Sequence, residues 1–309
     1  MPRRGRNGTA AASTGEIAMS TRSKWVGLVY IGPALLFVAT FTLYPLVQLI
    51  WMSLHNWSLL GGVRFIGFGN YLRAYQDPIF WSALIFTVKY TLLLTPILMV
   101  SGYLIALLTS GRSSMIKLTR AIVFIPVVIG IGSSSLLWVW LFQPQIGLFN
   151  KLLVDLHIIP KPLVWFGADA TLGLWGVIIS ITWKVVGFGM ILFVVGIQSI
   201  PIEVIEGAKL DGAGYWQRVR NIIVPLNYRI ILLVTLVSAI GSMLAFEQFF
   251  IMTTGAPENQ TITSVYWIYT NSFTYFKLGY GATLSIILMI IVVIGTAVQI
   301  TLTRRRSKE

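Results

Sequence analysis

Six long apolar runs divide this chain, at residues 25–54, 81–108, 121–142, 172–200, 230–252 and 278–303. A helix needs roughly 20 apolar residues to cross a hydrocarbon core, and within that core the backbone must satisfy its own hydrogen bonds, which runs of this length do as helices. They exceed the helices of ordinary soluble domains. The pattern therefore predicts an all-α integral membrane protein with six transmembrane helices. The first and third runs carry no charge. The second holds Lys89, the fourth Lys184 and the fifth Glu247, and the sixth is uncharged until the terminal RRRSKE.

The polar segments between the runs set the expected orientation, because basic loops stay in the cytoplasm. One side collects sixteen Lys and Arg, among them Arg3, Arg22, Arg112, Arg120, Lys209, Arg218, Arg229 and Arg304; the other has only Arg64, Arg73, Lys151, Lys161 and Lys277. Both termini are thus expected in the cytoplasm. Residues 1–24, rich in Gly, Ser, Thr, Ala and Arg, read as a disordered cytoplasmic tail. They do not read as a cleaved leader, since the following run is too long and lacks a small-residue cleavage site. Residues 304–309 read as a basic cytoplasmic tail. The loops His55–Phe80 and Gln143–Thr171, rich in Trp, Tyr, Gly and Pro, are expected to fold and meet a partner outside.

Composition agrees: 56% of residues are hydrophobic and 11% charged, with a mean hydropathy of +0.80, against about 25% charged in soluble domains. The immediate surroundings are therefore membrane lipid. A net charge of +13 would suggest nucleic acid only if the cations shared one wet surface, and their loop-by-loop placement excludes that. The chain has no cysteine and only His55 and His157 as soft ligands, far apart, so no metal site is expected. No nucleophile, acid–base pair or metal cluster gathers near an interface, which argues against a membrane enzyme.

The longest stretch of mixed charge, EGAKLDGAGYWQRVRNIIVP at 206–225, falls on the cytoplasmic side. Pro201 suits a first helical turn, and Glu203 and Glu206 lie where the helix dipole welcomes anions. Gly212 and Gly214 interrupt that helix, Asp211 is placed to cap a second, and Pro225 to end it. Residues 201–225 are thus predicted as helix, turn, helix. Trp216, Val219 and Ile223 form an apolar stripe on the second helix while Gln217, Arg218, Arg220 and Asn221 face elsewhere. Such a helix can lie on lipid headgroups or dock a protein.

Glu206, Ala208, Asp211, Gly212, Ala213, Ile222 and Pro225 stand at the spacing of the "EAA" loop of ATP-binding-cassette (ABC) importer permeases, which the segment resembles. Gly207 replaces the usual middle alanine, Val219 a common phenylalanine and Val224 a common leucine. Further fragments resemble the sugar and glycerol-phosphate branch of that family, including its maltose-type inner-membrane components: GPALLFVATFTLYPLVQLIWMSLHNW, RFIGFGNY, FIPVVIGIGSSSLLWVWLFQPQIGLFN, FFIMTTGAPENQTITSVYWIY and LGYGATLS, in the family's order. The resemblance implies the type I ABC importer permease fold, in the cell inner (plasma) membrane. It implies alternating access driven by two separate ABC ATPase subunits, docked on the loop through Glu203, Glu206, Ala208, Asp211, Gly212, Ala213, Trp216 and Arg218. It also implies a second homologous permease and an extracytoplasmic solute-binding protein. ATP and magnesium would belong to the ATPase: this chain has no phosphate-binding loop of the form G, four residues, then G-K-S or G-K-T, and needs no cofactor of its own.

Charges inside a bilayer are costly and mark candidate functional residues. Lys184, about twelve residues and ~18 Å into its run, is placed near the midplane, with Gly187, Phe188 and Ile191 on its face and Trp183 beside it. Two roles remain open for it: part of a solute-facing wall, or a structural ion pair or hydrogen bond to a neighbouring helix. Glu247, five residues from the outer end of its run, is a candidate contact for solute, binding protein or water. Lys89, about eight residues deep, is expected to reach the outer surface. An ion-coupled secondary transporter using Glu247 and Lys184 is the alternative, though it leaves the EAA-like loop unexplained. The family's solutes include disaccharides, oligosaccharides, glycerol phosphates and phosphodiesters, and a midplane Lys184 leans toward an anion.

Overall fold

The computed structural model describes residues 21–58 and 61–306, with side chains over 30–58 and 61–301. Most of the expected N-terminal tail and the last three residues lie outside the described residues; Thr21–Lys24 and Arg304–Arg306 are helical. The chain divides into units 1–49 and 50–309. The first contains α1 (Thr21–Val38), a π-helical turn at Ala39–Leu43, and the start of α2 (Tyr44–Ser53).

The second unit opens with an antiparallel hairpin of β1 (His55–Trp57) and β2 (Val63–Phe65). Asn70 on α3 (Gly69–Tyr75) holds it by donating to the carbonyls of Ser53 and His55, each at 2.9 Å. Then comes α4 (Pro78–Leu108). Asp77 caps it by accepting from the amides of Ile79 and Phe80, and Pro78 sits where its missing N–H costs nothing. Its buried residues recur at three- and four-residue spacing, from Phe80 through Thr87, Tyr90, Leu94 and Leu98 to Ala106. From Tyr90 to Ala106 this stripe packs on α8 (Ala170–Gln198), capped by Asp169, while Phe80 packs with Trp267 and Tyr280. Gly102 brings the two backbones close: a Cβ there would sit 3.5 Å from the Met190 nitrogen. Small residues permit such approaches between apolar helices.

The run read as one span at 121–142 is instead two helices, α5 (Ser114–Val128) and α6 (Ile131–Leu141), bent by 98°. Ile129 and Gly130 between them are extended. After α7 (Leu148–Asp155), Asn150 ties the following loop down, accepting from Leu163 and Trp165 and donating to the Leu163 carbonyl.

Downstream of α8 come α9 (Ile202–Leu210), α10 (Tyr215–Arg218), a π-helical turn at Val219–Ile223 and α11 (Val224–Leu226). The run read as 230–252 is also interrupted: α12 (Tyr228–Met243) stops, and Glu247 begins a short α13 (Glu247–Met252). The unit closes with α14 (Ser264–Tyr269), a third π-helical turn at Thr270–Thr274 and α15 (Leu278–Arg306). Four helical segments, at 30–53, 78–108, 170–198 and 278–301, are long and apolar enough to cross a membrane, and two bent pairs raise the number to six.

Candidate functional site

Two features of the second unit bear on function: the helix–turn–helix at 202–226, and the pair of charges where α5 and α12 end.

In the first, α9 starts after Pro201 with Glu203 in its first turn and Lys209 in its last, each sign matched to the dipole. Asp211 closes this helix instead of capping the next one. Gly212 follows with φ +81°, which a glycine adopts without penalty. The second helix is opened by Gly214, whose amide donates to the Gln217 side chain at 2.7 Å. Arg218 donates to the Ala213 carbonyl, and the Ala213 amide donates to the Ala208 carbonyl at 2.9 Å, so the turn is locked from both sides.

Val219 and Ile223 are buried in a cluster with Ala106, Met190, Phe193, Val194 and Ile197 of α4 and α8. Trp216 does not join their stripe. The π-helical turn adds a residue and rotates the face, leaving Trp216 68% and Leu210 89% exposed. Pro225 lies in the first turn of α11, where the chain does not end but bends by 70° into α12 at Asn227. Gly196 makes room for that bend, since any Cβ there would strike the Asn227 side chain. Glu203, Glu206, Asp211 and Trp216 are exposed, and Ala208, Ala213 and Arg218 half-buried. The segment is an exposed face on a base fixed to the long helices.

In the second feature, Lys184 is the central residue of α8. Its side chain is only 6% exposed, and Nζ donates to the carbonyls of Ile129 at 2.6 Å and Val127 at 3.5 Å. The last carbonyls of a helix lack intrahelical donors, and a cation there also matches the dipole. Lys184 thus closes the end of α5 that the 98° bend exposes. Glu247 is close enough to act on Lys184 electrostatically. Its Oε2 lies 3.6 Å from where a Cβ on Gly132 would stand, at the N-terminal turn of α6, and Glu247 itself opens α13. The interruption of 230–252 therefore puts Glu247 beside the α5–α6 break, not near the end of a continuous span. Of the other candidates, Trp183 meets Trp138 edge to face at 5.7 Å, and Gly187 is pressed against the α5 backbone, a Cβ there falling 3.0 Å from Phe124 Cα. Only Phe188 reaches a cavity of about 220 Å³, whose polar groups come from Tyr90, Ser238, Ser242 and Gln248.

Sequence reasoning missed Asp77. Its Oδ2 accepts from Tyr280 at 2.6 Å and Trp267 at 2.9 Å, joining the starts of α4, α14 and α15. Burial pulls this carboxyl up, but hydrogen bonds from Tyr280, Trp267 and the Phe80 and Ile79 amides outweigh it and hold it below its ordinary value. The Asp-Pro pair at 77–78 was the readable signal.

The family model described as "Binding-protein-dependent transport system inner membrane component" matches residues 28–308. The chain belongs to that family. As such an inner membrane component it is a permease of an ABC transport system, a translocation subunit and not an enzyme. The lactose transport system permease protein LacF of Rhizobium radiobacter is 30% identical over 287 residues, 91% of this chain and 94% of that protein. The sn-glycerol-3-phosphate transport system permease protein UgpA of Pectobacterium atrosepticum is 26% identical over 290 residues, 92% of this chain and 96% of that protein. Two crystal structures of bacterial alginate ABC transporters share the fold at 20% identity. The first superposes with a TM-score of 0.82 over 92% of this chain and 96% of its own. The second, in complex with a periplasmic protein carrying an alginate pentasaccharide, superposes with a TM-score of 0.81 over 93% and 96%. This inner membrane component therefore has the type I ABC importer permease fold.

Proposed function

We propose that this chain is the permease of an ATP-driven importer that carries a carbohydrate or glycerol-phosphate-type solute inward by alternating access. The solute is delivered by an extracytoplasmic binding protein. A second homologous permease completes the path, and two ATPase subunits bind residues 201–225. The relatives' transport of lactose and sn-glycerol-3-phosphate, by their names, supports the solute class. The basic residues around 112–120, 209–229 and the termini support an orientation with both termini and the loop in the cytoplasm.

The observation that carries the coupling role is the contrast within 202–226. Leu210 and Trp216 are bare while Val219 and Ile223 are sunk among α4 and α8. Large exposed apolar side chains beside carboxylates suit a protein partner, and the buried base passes that partner's motion to the helices lining the cavity. ATP closing the ATPases would thus move α8 and α12, and the interrupted α5–α6 and α12–α13 segments are natural places for the path to change shape.

One observation favours the alternative: Glu247 stands within electrostatic reach of Lys184, the central residue of α8, as the two members of an ion-coupled carrier's relay would. Vesicles reconstituted with the chain and its partners decide, with labelled lactose, maltose and sn-glycerol-3-phosphate as probes. ATP-dependent uptake that stops when the ATPase chains are omitted supports the importer. Uptake driven by an imposed proton or sodium gradient without those chains overturns it.

A further inference from the structure

We infer that a cleft where α4 and α15 begin holds the headgroup phosphate of an anionic phospholipid. The cleft, of about 570 Å³, has Arg73, Asp77, Trp267, Tyr275, Lys277 and Tyr280 in its wall. Packing fixes its level in the bundle. Ala106, near the far end of α4, clusters with Ile197, Val219 and Ile223, so the cleft at the Pro78 end stands opposite segment 202–226.

Two cations share the cleft with their charge unanswered. Among the described residues the side chains of Arg73 and Lys277 make no ion pair and no hydrogen bond; each lies over a tyrosine ring, 4.6 Å from the centre of Tyr280 and 5.4 Å from that of Tyr275. The carboxylate in the wall is already satisfied. Asp77 accepts from the amides of Ile79 and Phe80 and from Trp267 and Tyr280, and these bonds, not a cation, hold its carboxyl below the ordinary value. Two cations against one carboxylate leave the cleft net positive, with the guanidinium fork of Arg73 free for a phosphate.

The choice of a lipid comes from α3. Phe68, Leu72 and Tyr75 recur at spacings of four and three and are all exposed, so one face of this helix is bare and apolar. Leu72 also lines the cleft, beside Arg73 and Gln76, which joins the cations to that face. Trp81, which donates to the Tyr75 carbonyl at 3.0 Å, and Tyr275 are exposed as well, as in the aromatic belt at a membrane boundary. An apolar face next to cations, at the level where two spanning helices begin, suits acyl chains on one side and a phosphate on the other. A zwitterionic headgroup would bring a cation of its own into a positive cleft, which favours the anionic lipid.

The full-length chain, assembled with its partners and delipidated in a neutral detergent, is titrated with phosphatidylglycerol and with phosphatidylcholine, and the first lipid bound is followed by native mass spectrometry. Phosphatidylglycerol should bind the more tightly. Arg73→Gln with Lys277→Gln should weaken it by about twentyfold, to the level of phosphatidylcholine, while Arg73→Lys with Lys277→Arg keeps the preference. Arg73→Gln alone, at an exposed position, should cost about fivefold and serves if the double variant does not assemble. Equal affinity for the two lipids, or neutral variants that bind phosphatidylglycerol like wild type, overturns the inference. If sn-glycerol-3-phosphate raises the melting temperature as much as phosphatidylglycerol does, and the neutral variant responds to neither, the cleft takes a soluble phosphate and the lipid is overturned. A neutral variant that keeps its lipid but no longer retains the binding protein makes the cleft a protein-docking face, which overturns it too.

Discussion

The ammonium of Lys184 lies 2.6 Å from the carbonyl oxygen of Ile129, so a charge at the middle of one helix closes the broken end of another. Removing it leaves the half-buried carbonyls of Ile129 and Val127 without this donor. Lys184→Met should therefore destabilise the purified chain by about 1–3 kcal/mol, read as a lower melting temperature in detergent and loss of assembled complex by size exclusion. A variant with unchanged melting that has lost transport would instead give Lys184 a direct part in the solute path.

Gly187 is the contact point between α8 and α5. A Cβ there meets the Val123 carbonyl and lies 3.0 Å from Phe124 Cα. Gly187→Ala is expected to force the helices apart at a cost of about 1–3 kcal/mol, lowering thermal stability, whereas Gly207→Ala, with open space around it, serves as the neutral control. Equal melting temperatures for the two variants would refute this packing.

Asp77 gives the fold an acid sensitivity of predictable sign. Its folded pKa is depressed, so its contribution is complete above the ordinary carboxylate value of about 3.9 and is lost as pH falls through the lowered folded value. Asp77→Asn keeps an acceptor for the α4 amides but leaves Tyr280 and Trp267 facing an amide group. It should cost about 1–3 kcal/mol at neutral pH and remove this part of the acid dependence. Parallel pH–stability curves for wild type and variant in the acid range would contradict it.

Residue chemistry made much of this legible in advance. Charge-free stretches locate long helices because hydrocarbon leaves the backbone no other choice, and Pro201 and Glu203 mark the start of α9, as Gly212 marks the turn beyond its end. The breaks were not legible. Ile129–Gly130 and the interruption before Glu247 lie inside continuous apolar runs, and hydropathy is blind to backbone direction; only the tertiary position of Lys184 shows why α5 can stop there. The face of α10 was misjudged for a related reason, since a π-helical turn shifts the periodicity without leaving a mark in residue type. Asp77 escaped notice because its partners, Trp267 and Tyr280, are about two hundred residues away in sequence.

The central claim, that residues 201–225 couple the permease to separate ATPases, is tested most directly on the bare face of that segment. Leu210→Glu combined with Trp216→Glu changes only exposed side chains, so helicity and melting temperature should be preserved. With the purified ATPase chains, binding protein and solute present, the account predicts that the double variant no longer retains the ATPases on affinity resin. Solute-stimulated ATP hydrolysis should fall to the level of the ATPases alone. Wild-type retention and wild-type stimulation by the double variant would contradict the account.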